Sequence, residues 1–456
     1  MVRKGYTMAQ RETWATRAGF ILAAVGSAVG LGNVWRFPYQ VGEFGGAAFL
    51  VVYLALIAVI GFPVILVEFT VGRYTDRNPV GALKQIGTGS WQRIGWVFVL
   101  AGFVILSYYS VIAGWVLQYT VYGLQGNYAA DGAAQFGATT GGMMSVLTHA
   151  IFMAAVIAVV GLGIRRGIEF SVKLMVPAII ILLVGLAVYA GTLSSAGEAY
   201  AYYLSPDLGT IAANWTSILP AAAAQAFFTL SLGMGVMITY ASYLGEDRNL
   251  AKDAVIIVGL DTAIAFTVGL VAFPVLFSGE LAVADIVAIG DGPGFIFIAL
   301  SQAFSNIPFG SVLGAVFFGT VTIAALSSAI SIMEVVVSYL IDERGVDRIP
   351  ATLLIGTAIF LFGAPVAYDG SLSWLTVYDE LANNILLILG ALLLSVYIGW
   401  VQTDLGLEEL GKGIRNLGGW GTAWIWALRV PVVVTLVVIL GLNAIGAYEA
   451  ISGILG

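Results

Sequence analysis

Gly26-Ser27-Ala28-Val29-Gly30-Leu31-Gly32-Asn33-Val34-Trp35-Arg36 interrupts an apolar run near the start of the chain. Each glycine costs a helix interior about 1 kcal/mol relative to alanine. Gly26, Gly30 and Gly32 so close together mark a place where a helix can open. A second cluster, Ser231-Leu232-Gly233-Met234-Gly235, sits in another apolar run. Close packing of membrane helices accounts for one such cluster by itself. Two clusters in matching members of a helix series point instead to broken helices around a midplane site.

The series comes from hydropathy. The chain is 60% hydrophobic and 10% charged, with a mean hydropathy of +0.97, which reads as an all-α integral membrane protein. Spans are expected near 17–40, 47–71, 94–124, 143–163, 170–191, 214–243, 251–278, 311–340, 351–368, 375–401 and 429–452. The glycine clusters fall in the first and sixth of these eleven transmembrane helices. Spans one to five and six to ten then form two five-helix repeats, at about 11–191 and 214–401. Span one runs outward and span six inward, so the repeats are inverted. An additional helix at about 429–452 completes a single transporter domain, 1–456.

Charge sets the orientation. Of the 19 Lys and Arg residues, all but Arg36 fall on one side of this topology. The opposite loops carry Glu43, Asp131, Glu198, Asp207, Glu280, Asp285, Asp291 and Asp369 without a Lys or Arg. By the positive-inside rule, the protein is multi-pass in the cell membrane. Its N-terminus is cytoplasmic and its C-terminus extracytoplasmic. A charge in or near the bilayer costs about 2.5–3.5 kcal/mol, so Arg36 needs a partner. Asp379, at the outer end of span ten, lies at the same level and suggests an extracellular charged gate.

Unwound backbone frees carbonyls for a hard cation and exposes helix N-termini that favour a carboxylate. Asn33, Thr229, Ser327 and Ser328 supply further oxygens for a cation such as Na⁺. Taken alone, the Ser pair reads better as hydroxyls that bond back to their own helix. Two acids lie inside spans: Glu68, placed to tie down the free N–H groups of a broken helix, and Asp261, for which a bound cation is the simplest partner.

Other chemistries find no support. Cysteine is absent, and the single His149 opens a hydrophobic span. Together these argue against a transition-metal site. No Ser/His pair, zinc motif or phosphate loop is visible, so the chain does not read as an enzyme. No nucleic-acid partner is expected; the lipid bilayer is the partner that composition implies. The oligomeric state stays open.

The segments Arg11-Glu12-Thr13-Trp14-Ala15-Thr16-Arg17, Gly30-Leu31-Gly32-Asn33-Val34-Trp35-Arg36-Phe37-Pro38 and Gln225-Ala226-Phe227-Phe228-Thr229-Leu230-Ser231-Leu232-Gly233 resemble the neurotransmitter:sodium symporter family. The resemblance covers almost the whole chain and fits the eleven-helix bacterial branch. It implies a first Na⁺ site from the Ala28 carbonyl, Asn33, Thr229, Asp261 and the substrate carboxylate. A second would use carbonyls of Gly26, Val29 and Ala324 with the hydroxyls of Ser327 and Ser328. The implied substrate pocket is Ala28, Gly30, Gly32, Ile105, Tyr109, Phe228, Thr229, Ser231, Met234, Ser328 and Ile332. Tyr109 and Phe228 would form an outer lid beneath Arg36 and Asp379. Arg11 and Asp342 would form an inner gate with Trp14, Ser242 and Tyr243.

Departures from the family pattern shape the expected function. Asp261 stands where relatives carry Asn, and Ala265 where chloride-dependent members carry Ser. Chloride-dependent relatives hold Cl⁻ beside residues matching Tyr53, Gln225 and Thr229. A fixed carboxylate there implies transport without Cl⁻; a protonated Asp261, acting as a hydrogen-bond donor, would instead leave chloride a role. Met234 replaces a pocket aromatic and gives a softer wall. Gly30 replaces the Asp of amine-transporting relatives, so the substrate should bring its own carboxylate. The expected activity is Na⁺-coupled symport of neutral, bulky hydrophobic L-amino acids by alternating access, with two Na⁺ and no Cl⁻. The rivals are a proton-coupled or compatible-solute carrier on the same fold and a non-transporting amino-acid sensor.

Overall fold

A computed structural model describes residues 12–129, 131–278, 294–414 and 417–443. Arg11 of the expected inner gate and the last part of the final span lie outside the described residues. Helix α1, Arg17–Ala28, begins at a Thr16 cap whose hydroxyl accepts from the Gly19 N–H at 2.9 Å. It stops at Val29, where φ −76° and ψ 100° are extended. A π-helical turn at Gly32–Arg36 leads into α2, Phe37–Glu43, with Pro38 in its first turn. Proline is tolerated there because first-turn N–H groups lack intrahelical partners. The two halves of this first span are bent by 50°.

Helices α3 (Ala47–Thr75), α4 (Pro79–Ile86), α5 (Gly95–Gln125), α6 (Gly142–Gly161) and α7 (Ile164–Ala190) complete the first half. The sixth span is α8, Leu208–Thr229, an unwound stretch, and α9, Val236–Ala241. Between them Ser231, Gly233 and Gly235 have φ of 53°, 80° and 74°. Gly233 is doubly constrained, because a Cβ there would lie 2.1 Å from the Leu387 carbonyl oxygen. Next come α10 (Leu250–Ser278), α11 (Gly310–Arg344), α12 (Arg348–Tyr368) and α13 (Ser373–Val401). A short α14 (Thr403–Gly411) and the long α15 (Gly418–Asn443) follow.

Among the described residues, nine helices are long and apolar enough to cross a membrane, and the bent α1–α2 pair makes a tenth. The broken α8–α9 span accounts for the sixth of the expected series. Burial orders these helices by depth in the protein. The apolar stretches of the spans containing α5 and α11 are 83% and 72% buried, whereas those of α7 and α15 are 28%. On α7, Leu174, Ile181 and Val188 form one stripe about 70% exposed, the pattern of a lipid-facing helix surface.

One expected boundary is corrected. The last span starts at Gly418 rather than at 429, so Arg429 lies inside a helix instead of at its entrance. The stretch from Gly418 to Leu428 is uncharged and carries three tryptophans, which makes it apolar enough to extend the span. Arg429 is accommodated by donating Nε–H to the Gly399 carbonyl at 2.6 Å, with its guanidinium 6.0 Å from the Trp400 ring centre and 5.9 Å from that of Trp426.

Candidate functional site

Where α1 unwinds, the released backbone groups find new partners. In a continuous helix the Gly30 N–H would bond to the Gly26 carbonyl. Here it donates to Asn33 Oδ1 at 3.2 Å, and the Gly26 carbonyl accepts from Ser327 Oγ at 2.7 Å. The Leu31 N–H would bond to the Ser27 carbonyl. Here it donates to the Tyr109 hydroxyl at 3.2 Å, and the Ser27 carbonyl accepts from Ser231 Oγ at 3.0 Å. The break is thus held from α5, α11 and the unwound stretch of span six. That stretch is anchored in turn by Glu68 of α3, whose Oε1 accepts the Gly233 N–H at 2.7 Å.

The two breaks face a narrow cavity of about 10 Å³. It is lined by Ala28, Gly30, Leu31, Gly32, Ile105, Tyr109, Phe228, Ser231, Met234, Ser328 and Ile332. Every expected pocket residue is present except Thr229. That hydroxyl points away and donates to Asp261 Oδ2 at 3.0 Å. Leu31 is the addition that sequence reasoning missed. Its position between Gly30 and Gly32 was the available signal, since unwinding exposes every residue between the glycines. The cavity also explains those glycines. A Cβ on Gly30 would meet the Tyr109 hydroxyl at 2.6 Å, and one on Gly32 would meet the Phe228 ring at 2.6 Å.

Beside the cavity lie two groups of oxygens. In the first, Asp261 is fully buried and accepts from Asn33 Nδ2 at 2.8 Å as well as from Thr229. No basic side chain pairs with it among the described residues. An isolated buried carboxylate carries a large desolvation cost, which a cation at the same place would offset. In the second group Ser327 Oγ bridges the Gly26 carbonyl and, at 2.9 Å, the Ala324 carbonyl. Neutral carbonyl and hydroxyl oxygens suit a hard monovalent cation rather than a transition metal. Ser328, the next residue, lines the cavity.

The gate residues are placed less simply. Arg36 lies over the Phe228 ring, 5.3 Å from its centre. It makes no direct ion pair with Asp379, whose Oδ1 accepts from Asn383 at 2.5 Å. The expected outer pair is therefore not in contact in this structure, although the two charges lie close enough to attract each other. On the basic face Trp14 is buried, donates its indole N–H to the Tyr240 carbonyl at 2.9 Å and packs edge-on against Tyr240 and Tyr243. Asp342 accepts from the Asn78 N–H at 3.1 Å. The Tyr243 hydroxyl donates to Glu334 at 2.8 Å, and Arg348 grips the same carboxylate with two N–H groups at 2.8 and 3.1 Å. Glu334 was missed in the sequence although it falls within the expected span 311–340. Arg348 continues to Glu12 at 3.5 Å and so ties the N-terminal segment to α11, α12 and the sixth span.

Comparison with known proteins now decides the class. A model of the sodium:neurotransmitter symporter family matches residues 11–138 and 133–450. The chain belongs to the sodium:neurotransmitter symporter family. It is 34% identical over 452 residues to the sodium-dependent transporter YhdH of Bacillus subtilis, covering 95% of this chain and 97% of that one. It is also 34% identical to the sodium-dependent transporter MJ1319 of Methanocaldococcus jannaschii, over 94% and 90% of the two chains. The crystal structure of MhsT in complex with L-phenylalanine superposes with a TM-score of 0.85 at 39% identity, covering 95% of this chain and all of that one. As a family member the protein is a multi-pass membrane transporter rather than an enzyme, and sodium use belongs to its class.

Proposed function

We propose that this symporter couples Na⁺ to the uptake of neutral amino acids with bulky apolar side chains, without chloride. The observation that carries the reading is the cavity between two broken helices, with apolar walls and unwound backbone at one end. The amino acid's carboxylate would lie by the Tyr109 hydroxyl and the α1 break. Its side chain would lie among Ile105, Phe228, Met234 and Ile332. The bound L-phenylalanine of MhsT, a relative at 39% identity, supports a substrate of this size. The narrow cavity means that the walls must separate to admit it, which fits alternating access.

Two Na⁺ ions are transported with the substrate in this reading. The first would take the Ala28 carbonyl, Asn33, Thr229, Asp261 and the substrate carboxylate. The second would take the Gly26, Val29 and Ala324 carbonyls with Ser327 and Ser328. Chloride is dispensable because Asp261 already supplies a negative charge there. Ala265 offers no hydroxyl to an anion. The cytoplasm lies on the basic face.

Radiolabelled phenylalanine and leucine uptake into proteoliposomes tests the reading. Uptake should require an inward Na⁺ gradient, exceed that of glycine, glutamate and lysine, and persist when gluconate replaces Cl⁻. Equal uptake in Na⁺ and choline overturns the coupling. Uptake driven by a proton gradient alone would favour the proton-coupled alternative. Binding without uptake would favour a sensor.

A further inference from the structure

Outside the transport cavity, a groove opens on the membrane-facing surface near the basic face, with a volume of about 490 Å³. Phe62 of α3, Val255 of α10, and Leu417 and Trp420 at the start of α15 give it apolar walls. Asn249 and Lys252, at the first turn of α10, form its rim. Phe62, Val255 and Trp420 belong to membrane-crossing helices, so hydrocarbon is the medium that faces them. The rim residue makes the groove more than a packing defect. Three nearby acids are each engaged elsewhere: Asp253 by Arg17 at 2.5 Å, Glu246 by Lys412 at 2.9 Å and Asp247 by Arg248 at 3.6 Å. Lys252 makes no ion pair among the described residues. Its backbone N–H is held by Asn249 Oδ1 at 2.9 Å, which fixes the helix turn that presents its side chain.

We infer that this groove binds an anionic phospholipid of the cytoplasmic leaflet, with the phosphate at Lys252 and one acyl chain along Val255, Trp420 and Phe62. An ammonium at the interface above an apolar channel complements both parts of such a lipid. The walls come from α3, α10 and α15, so the lipid clips together helices from both halves of the fold and the added one. The placement in the inner leaflet rests on the orientation proposed above. The lipid site itself is independent of substrate and ion identity.

The test is thermal unfolding of the purified full chain in detergent, titrated with phosphatidylglycerol, phosphatidylcholine or glycerol 3-phosphate. Phosphatidylglycerol should raise the midpoint more than phosphatidylcholine, and glycerol 3-phosphate should leave it unchanged. Lys252→Gln should weaken the apparent phosphatidylglycerol affinity about fivefold, the effect of one basic residue at a membrane surface. Lys252→Arg should restore it. Lys84→Gln removes a basic residue elsewhere on this face, paired with Glu343 at 2.5 Å, and should leave that affinity unchanged. Val255→Trp, which fills the channel and keeps the lysine, should abolish the phosphatidylglycerol preference. Equal shifts from the two lipids, or equal losses in Lys84→Gln and Lys252→Gln, overturn the proposal in favour of diffuse attraction. A full shift from glycerol 3-phosphate overturns it in favour of a phosphate site without a chain. Retained preference in Val255→Trp overturns the acyl placement.

Discussion

Asp261 shows how one residue sets chemistry in a site otherwise built of neutral groups. Its two carboxylate oxygens accept from Asn33 and Thr229, the side chains assigned with it to the first ion. Removing a hydrogen-bonded ligand of a buried cation should cost about 1.4 kcal/mol, a tenfold rise in the Na⁺ needed for half-maximal uptake. Asn33→Ala and Ser328→Ala should each show that rise in sodium titrations of uptake. A titration that superposes on the wild type removes that residue from the ion sites. The same reasoning makes chloride conditional on Asp261. Asp261→Asn combined with Ala265→Ser should create chloride stimulation of uptake where the parent has none. A double variant still indifferent to gluconate replacement would show that fixed charge is not what makes chloride dispensable.

The unwound stretch of span six is an element defined by its backbone. Gly233 holds φ 80° against the Leu387 carbonyl while its N–H is tied to Glu68. A left-handed conformation costs a non-glycine residue about 1–2 kcal/mol, and the Cβ clash adds to that. Gly233→Ala should therefore lower the unfolding midpoint measured by intrinsic fluorescence in detergent. An unchanged midpoint would mean that the stretch can re-form without this geometry. Met234, between the two glycines, belongs to the cavity wall. Met234→Phe adds rigid volume there and should shift competition in favour of smaller side chains, so that valine gains on tryptophan by about tenfold, within the range for apolar pockets. Preserved preference for tryptophan would place the side-chain pocket elsewhere.

Across the whole molecule, the basic face is held by buried charges rather than by apolar packing alone. Arg73 of α3 and Glu409 of α14 have fully buried side chains and meet at 2.5 Å, and Arg73 also donates to the Arg248 and Glu409 carbonyls. This joins the end of span two, the loop after span six and the helix between spans ten and eleven. Removing one partner of a buried pair costs roughly 3–5 kcal/mol when the other charge stays buried alone, whereas apolar replacement of both is often tolerated; Glu409 also meets Lys412 at 2.8 Å, so the cost here falls toward the low end. Arg73→Met should thus be markedly destabilised in thermal unfolding, and Arg73→Met with Glu409→Leu should recover much of the loss. A double variant no better than the single would assign the clamp to the carbonyl contacts instead.

Long apolar runs and the one-sided placement of Lys and Arg made the membrane class and most spans legible in the sequence, because burying backbone in hydrocarbon leaves helices few alternatives. Glycine clusters located both breaks, because only there could the chain leave the helix cheaply. The family resemblance as a whole named every residue of the cavity wall but Leu31. Other features depended on neighbours remote in sequence. Thr229 turned to Asp261 instead of the cavity because a buried carboxylate was the stronger acceptor. Glu334 became a hub because folding brought Tyr243 and Arg348 to it. Arg36 lay over Phe228 rather than against Asp379. Arg429 could enter the last span because the Gly399 carbonyl was there to receive it. Hydropathy and backbone freedom are local properties, so the sequence by itself determined helices and hinges. Which polar groups meet in a low-dielectric interior depends on distances across the fold, and only the tertiary structure decided those.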